Sequence, residues 1–148
     1  MPRAHIHLCP DPGYVPTRTA PKRGEKIVIR VLRFPPFKEL RASLRNPCHR
    51  HYSRFVGLRK AATKVMRGRK WSDGPISLRF SMFAPSFEKG KALNDYLAGV
   101  LDTLDGSHGF HFTYLPVVFQ DDCQVCKAAT HFRVNSIAEY LLEVEFLD

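Results

Sequence analysis

Residues 91–130 read KALNDYLAGVLDTLDGSHGFHFTYLPVVFQDDCQVCKAAT. Leu97, Val100, Leu101 and Leu104 recur at i, i+3, i+4 and i+7, a spacing that puts all four on one face of an α-helix. Asn94 stands where an N-cap belongs, Asp95 falls in the first turn, and Gly106 can end the helix in a left-handed turn. An aromatic loop (Phe110, Phe112, Tyr114) leads to Val117, Val118 and Phe119, then to the adjacent carboxylates Asp121 and Asp122, and then to a strand-like run over 124–134. Carboxylates at the end of a strand, facing a helix start with further polar groups, are hard oxygen donors suited to a divalent cation.

The flanking segments fix the class. Over 25–34, Ile27, Ile29 and Val31 alternate with Val28, Arg30 and Leu32, which predicts a strand with at least one buried face, closed by Pro35 and Pro36. Asn46 followed by Pro47 predicts a helix start, and the helix is expected to run to Arg67 and stop at Gly68. Cys48, Tyr52, Phe55, Ala62 and Met66 form its apolar stripe, with Arg50, Arg54, Lys60, Lys64 and Arg67 mainly off it. After a turn at 71–75, residues 76–83 alternate as a half-buried strand, and a loop over 85–90 delivers the chain to the helix of the opening stretch. Residues 139–146 alternate again as the last strand. The order is β-α-β-α-β-β, an α+β fold with a small mixed β-sheet and helices packed on it.

Residues 1–24 hold five prolines and no sustained periodicity, and read as a flexible basic arm ahead of a single domain over 25–148. No apolar run approaches the ~20 residues of a bilayer span, and the N-terminus lacks the apolar core of a signal peptide. Four cysteines without an export signal point to reduced thiols in a cytoplasmic protein. The His5, His7 and Cys9 cluster, the Cys48, His49 and His51 cluster and the Cys123-x-x-Cys126 pair lack the second ligand set of a zinc site, so no zinc is expected.

The net charge of +9 is unevenly spread. Residues 1–91 carry 21 Lys and Arg against 5 Asp and Glu, whereas residues 92–148 carry 2 against 9. A basic surface beside a local acidic cluster suits a protein that grips a phosphate backbone and holds metal where that backbone is cut.

The order of features resembles the RusA family of Holliday junction resolvases, whose pattern runs D-x-D-N-x-x-K, then a helix ending D-x-L, then D-D-x-Q-V. Asp102-Thr103-Leu104 and Asp121-Asp122-Cys123-Gln124-Val125 match the last two parts in order. Counting back from Asp102, the two family aspartates fall on Ala92 and Asn94, the asparagine on Asp95 and the lysine on Ala98. The resemblance implies a RusA-like fold and a homodimeric, Mg²⁺- or Mn²⁺-dependent endodeoxyribonuclease acting on branched DNA. The alternative it leaves open is a DNA-binding protein of that fold with weakened catalysis. It implies Asp122 as the main metal ligand and Asp121 beside it. Asp95 would stand in for a missing aspartate, Asn94 would offer a neutral oxygen, and Asp102 would supply the third acidic position. Lys38, Arg41 and Arg45 after the proline pair, Arg50, Arg54, Lys60, Lys64 and Arg67 of the first helix, and Lys89 and Lys91 are the expected DNA contacts.

Overall fold

The structure is a computed structural model that describes residues 5–6, 16–39, 42–105, 112–113 and 115–147. Its elements are β1 (His5–Ile6), β2 (Lys26–Val31), α1 (Tyr52–Met66), β3 (Ile76–Ala84), α2 (Leu93–Leu104), β4 (Phe112–Thr113), a 3₁₀ turn (Asp122–Gln124), β5 (Val125–Val134) and β6 (Glu139–Phe146). Apart from the two-residue pair of β1 and β4, the order is β-α-β-α-β-β, as the alternation and helical spacing predict.

Four strands form one sheet in the order β2-β6-β3-β5. β6 pairs antiparallel with both β2 and β3, and β5 lies parallel to β3, so the sheet is mixed and the fold is α+β. Strict alternation in β2, β3 and β6 sends Ile27 and Ile29, Ile76 to Ala84 at every second position, and Tyr140, Leu142, Val144 and Phe146 to one face. That face joins a single core with Phe55, Leu58, Ala62 and Met66 of α1 and Tyr96, Val100 and Leu104 of α2. Among the described residues, no helix is long and apolar enough to cross a membrane.

Three local expectations are corrected. The helix expected from Asn46 begins at Tyr52. Asn46 Oδ1 accepts from Cys48 N and His49 Nδ1 accepts from His51 N, both at 2.9 Å, and these side-chain bonds hold the backbone in turns instead. Cys48 is consequently exposed rather than packed. The N-cap of α2 is Ala92, not Asn94, because the Asp95 carboxylate reaches back to accept from Ala92 N at 2.8 Å. Finally, part of the stretch read as an arm is tied to the domain: Thr17 N and Arg18 N both donate to Gly68 O, and Lys70 N donates to Arg18 O. Gly106, expected to stop α2, lies outside the described residues, as does Arg41.

Candidate metal centre

The carboxylates of Asp102, Asp105 and Asp122 meet at the C-terminal end of α2, with one oxygen from each lying within 4.8 Å of the others. Asp105 is buried, Asp102 half-buried and Asp122 exposed, so the group opens from the protein interior to solvent. Beside it runs a groove of about 420 Å³, lined by Asp102 and Asp122 together with Lys38, Glu39, Ser43 and Arg45.

The helix end explains why acids can gather there. The last four carbonyls of a helix lack partners within it and carry the negative end of its dipole, so acidic side chains at that end are unfavourable. Here all four carbonyls are satisfied. Leu101 O accepts from Asp105 N at 3.2 Å, and Leu104 O accepts from Val117 N and Val118 N at 3.1 and 3.2 Å. Asp102 O accepts from Arg45 Nε at 3.0 Å, and Thr103 O from Arg59 Nη1 at 2.9 Å. Both arginines are buried, and Arg45 Nη2 also donates to Asp105 Oδ1 at 3.0 Å. The last turn has no basic residue of its own, so the compensating cations come from the 44–46 turn and from α1.

Asp122 is delivered by a separate clamp. Asp121 caps the 3₁₀ turn, its Oδ1 accepting from Cys123 N at 3.0 Å, so its side chain turns inward to the backbone. Gln124 Oε1 accepts from Asp121 N at 2.8 Å, while its Nε2 donates to Ser72 O at 2.8 Å and Gly74 O at 2.7 Å. One amide therefore ties the acidic turn to the turn before β3. The neighbouring 117–120 segment is wedged against the same elements, with Ser72 N donating to Val118 O and Gln120 N to Ser72 O. This gives the D-D-x-Q spacing a local physical reason: the first aspartate caps, the second is presented, and the glutamine anchors.

Of the acidic residues the sequence put forward for the site, Asp102 and Asp122 come together. Asp95 and Asn94 sit at the opposite end of α2, and Asp95 is ten residues from Asp105, ~15 Å along the axis at 1.5 Å per residue. No ion can be shared across that length. Asp121 serves the turn. Asp105 was not put forward, and its signal was present: it follows Asp102 by three residues, the spacing that stacks two side chains on one helix face.

The expected DNA contacts divide by exposure. Lys38, Arg50, Lys60, Lys64, Arg67 and Lys89 are exposed. Arg45 and Arg54 are buried, contrary to expectation: Arg45 holds the end of α2, and Arg54 makes a bidentate pair with Glu88 at 2.7 and 2.8 Å. Lys91 is half-buried, with its Nζ over the Phe37 ring at 4.1 Å and 3.6 Å from Glu39 Oε1. Cys123 lies in the 3₁₀ turn rather than in a strand, and both it and Cys126 are exposed. The hydrogen bond to Asp121 and the adjoining carboxylates push the Cys123 thiol up.

The donor set fits a hard divalent cation. Three carboxylate oxygens are the right chemistry, and opposite ligands of an octahedral Mg²⁺ stand ~4.2 Å apart, those of Ca²⁺ ~4.8 Å. At most one pair of the three can stand opposite, and adjacent ligands of Mg²⁺ lie ~3 Å apart, so oxygens now within 4.8 Å of one another must draw together by up to ~2 Å to share the smaller ion. No protein-family model matches the chain, and no curated protein matches it.

Proposed function

We propose that this chain is a metal-dependent, structure-specific endodeoxyribonuclease of the RusA kind, cutting branched DNA in the cytoplasm as a homodimer. The observation that carries the reading is the meeting of Asp102, Asp105 and Asp122 beside a groove that also presents Lys38. The three carboxylates would hold Mg²⁺ or Mn²⁺, which supplies an activated water and stabilises the leaving oxygen. Asp122, the most exposed of them, faces incoming backbone. Lys38 would bind the phosphate beside the cut, where developing negative charge gains most from a fixed cation. Its backbone is set by donation from Lys38 N to Asp95 O at 3.0 Å, and its side chain is exposed. Arg50, Lys60 and Lys89 would neutralise flanking phosphates. Two matched nicks across a four-way junction call for two active sites related by a dyad.

One observation favours the second reading, a DNA-binding protein of the same fold with weakened catalysis. Arg45 Nη2 lies 3.0 Å from Asp105 Oδ1 and competes with any cation for that carboxylate. A synthetic four-way junction with Mg²⁺, Mn²⁺ or EDTA separates the readings. Junction-selective nicking that needs the metal and collapses in Asp122→Asn supports the nuclease. Selective binding without nicking supports the second reading. Cleavage undiminished in EDTA, or equal affinity for linear duplex, sinks the proposal.

A further inference from the structure

β2 is an outermost strand of the sheet, paired on one side only, with β6. Along its other edge, alternate backbone N–H and C=O groups meet no strand among the described residues, the arrangement that invites pairing with another chain. That edge forms one wall of an 840 Å³ groove whose other wall is the outer side of α1. Among the described residues, the groove shares no lining residue with the carboxylate site.

Its chemistry is specific. Cations stand on both flanks: Lys26 and Arg30 on the strand, and Lys64 and Arg67, with Arg69 below, on the helix side; Arg30 is paired with Glu139 at 3.0 Å, and Arg69 with Glu25, the one acid among the described residues of the lining, at 2.6 Å. The side chains of Lys26, Lys64 and Arg67 are exposed and make no hydrogen bond or ion pair with a described residue. Between these charges the surface is apolar on both faces of the strand edge, with Val28 52% exposed on the open face and Ala61 and Val65 on the helix side. Among the described residues no aromatic side chain lines the groove, so they offer none of the stacking platforms that hold single-stranded bases. Phosphates would also leave the C=O groups of the strand edge without donors, whereas a peptide backbone supplies both donors and acceptors.

We infer that β2 and α1 form a docking site for an extended acidic segment of a partner protein, which adds to the sheet as a fifth strand beside β2. Side chains of an added strand point alternately to the two flanks. Acidic residues at one end of the segment therefore meet Lys26 on one face and Arg67 on the other, those at the far end meet Lys64, and small apolar residues between them lie over Val28 on the open face and over Ala61 and Val65 on the helix side. The six residues of β2 set the length of the core contact.

The test uses the full chain and a fluorescein-labelled peptide of sequence Glu-Glu-Val-Val-Glu-Glu, read by anisotropy. Binding should be saturable and weaken at least about tenfold in the exposed double variant Lys64→Glu/Arg67→Glu. It should also be lost when alternate peptide nitrogens are methylated, which removes the strand hydrogen bonds and keeps the charge. A thermal melt establishes that the double variant is folded, and Lys38→Glu, in the other groove, should leave the affinity unchanged. Equal binding of the methylated peptide would show simple charge attraction and overturn strand addition. Tighter binding of a single-stranded oligothymidylate that displaces the peptide would assign the groove to nucleic acid instead.

Discussion

Arg45 Nε donates to the carbonyl oxygen of Asp102 at 3.0 Å, and the same guanidinium reaches the Asp105 carboxylate, so one buried cation holds the end of α2 that carries both acids. Removing it in Arg45→Met takes the Arg45 ion pair from Asp105, which stays buried beside the negative end of the helix. The expected loss is about 3 kcal/mol in urea unfolding. The double variant Arg45→Met/Asp105→Asn should recover part of that loss, because it no longer strands a charge. Mn²⁺ should raise the melting temperature of the native chain and have a smaller effect on the double variant.

Gly99 marks the closest approach of α2 to the loop after β2. A Cβ there would lie 2.5 Å from Phe37 Cα, Phe37 N and the Pro36 carbonyl carbon, all backbone atoms that cannot swing aside. Gly99→Ala should therefore destabilise the fold by about 2 kcal/mol despite the better helix propensity of alanine. A melting temperature equal to or above that of the native chain would contradict the packing.

Gln124 anchors the acidic turn through three hydrogen bonds. In Gln124→Leu, the Ser72 and Gly74 carbonyls lose a donor, at a cost of about 1–2 kcal/mol. The more telling readout is Mn²⁺ affinity by calorimetry. If the anchor positions Asp122, affinity should fall severalfold, although Gln124 contributes no atom to the carboxylate group.

The paired hydrogen bonds from Arg54 hold the Glu88 carboxyl below its ordinary value of 4.5, against the opposing effect of partial burial. A carboxyl lowered in the folded state adds stability that is complete above the unfolded value and disappears as pH falls through the folded one. Stability should thus be flat in this respect above pH 4.5 and decline below it. Glu88→Gln should cost about 2 kcal/mol at pH 7 and show a shallower acid decline, measured by unfolding across that range.

The elements were legible because their patterns are local. Period-two alternation over 76–83 and 139–146 marks strands whatever lies around them, and β6 spans 139–146 in the structure. The α2 stripe was found with its centre displaced. Val100 and Leu104 are buried as expected, but Tyr96, Gly99 and Thr103 are buried with them, while Leu97 and Leu101 are half-exposed. Glycine and threonine carry little hydrophobic signal, so a face that buries them for close approach reads as shifted. Arg59 is the sharper case. It follows Phe55 by four residues and precedes Ala62 by three, on the apolar stripe of α1, and it is fully buried with its guanidinium donating to Thr103 O and Leu115 O. An arginine in a helix normally keeps its head in water. Only the four satisfied carbonyls at the end of α2 reveal why two arginines are inside.

The sequence by itself determined the class of fold, the order of its elements, the split between a basic first part and an acidic last part, and two of the three carboxylates that meet. The first three follow from residue type and spacing along the chain, which need no knowledge of neighbours; the two carboxylates, Asp102 and Asp122, follow from what the family resemblance implies. Tertiary structure decided the strand order, the third carboxylate, and which cations face solvent. Those depend on where the 17 residues between α2 and the 3₁₀ turn return Asp122, and on which polar groups at a helix end find partners from distant segments. Hydrogen-bond demand in the interior, rather than position in the chain, assigned Arg45, Arg54 and Arg59 to the fold and left Lys38, Lys64 and Arg67 exposed to solvent.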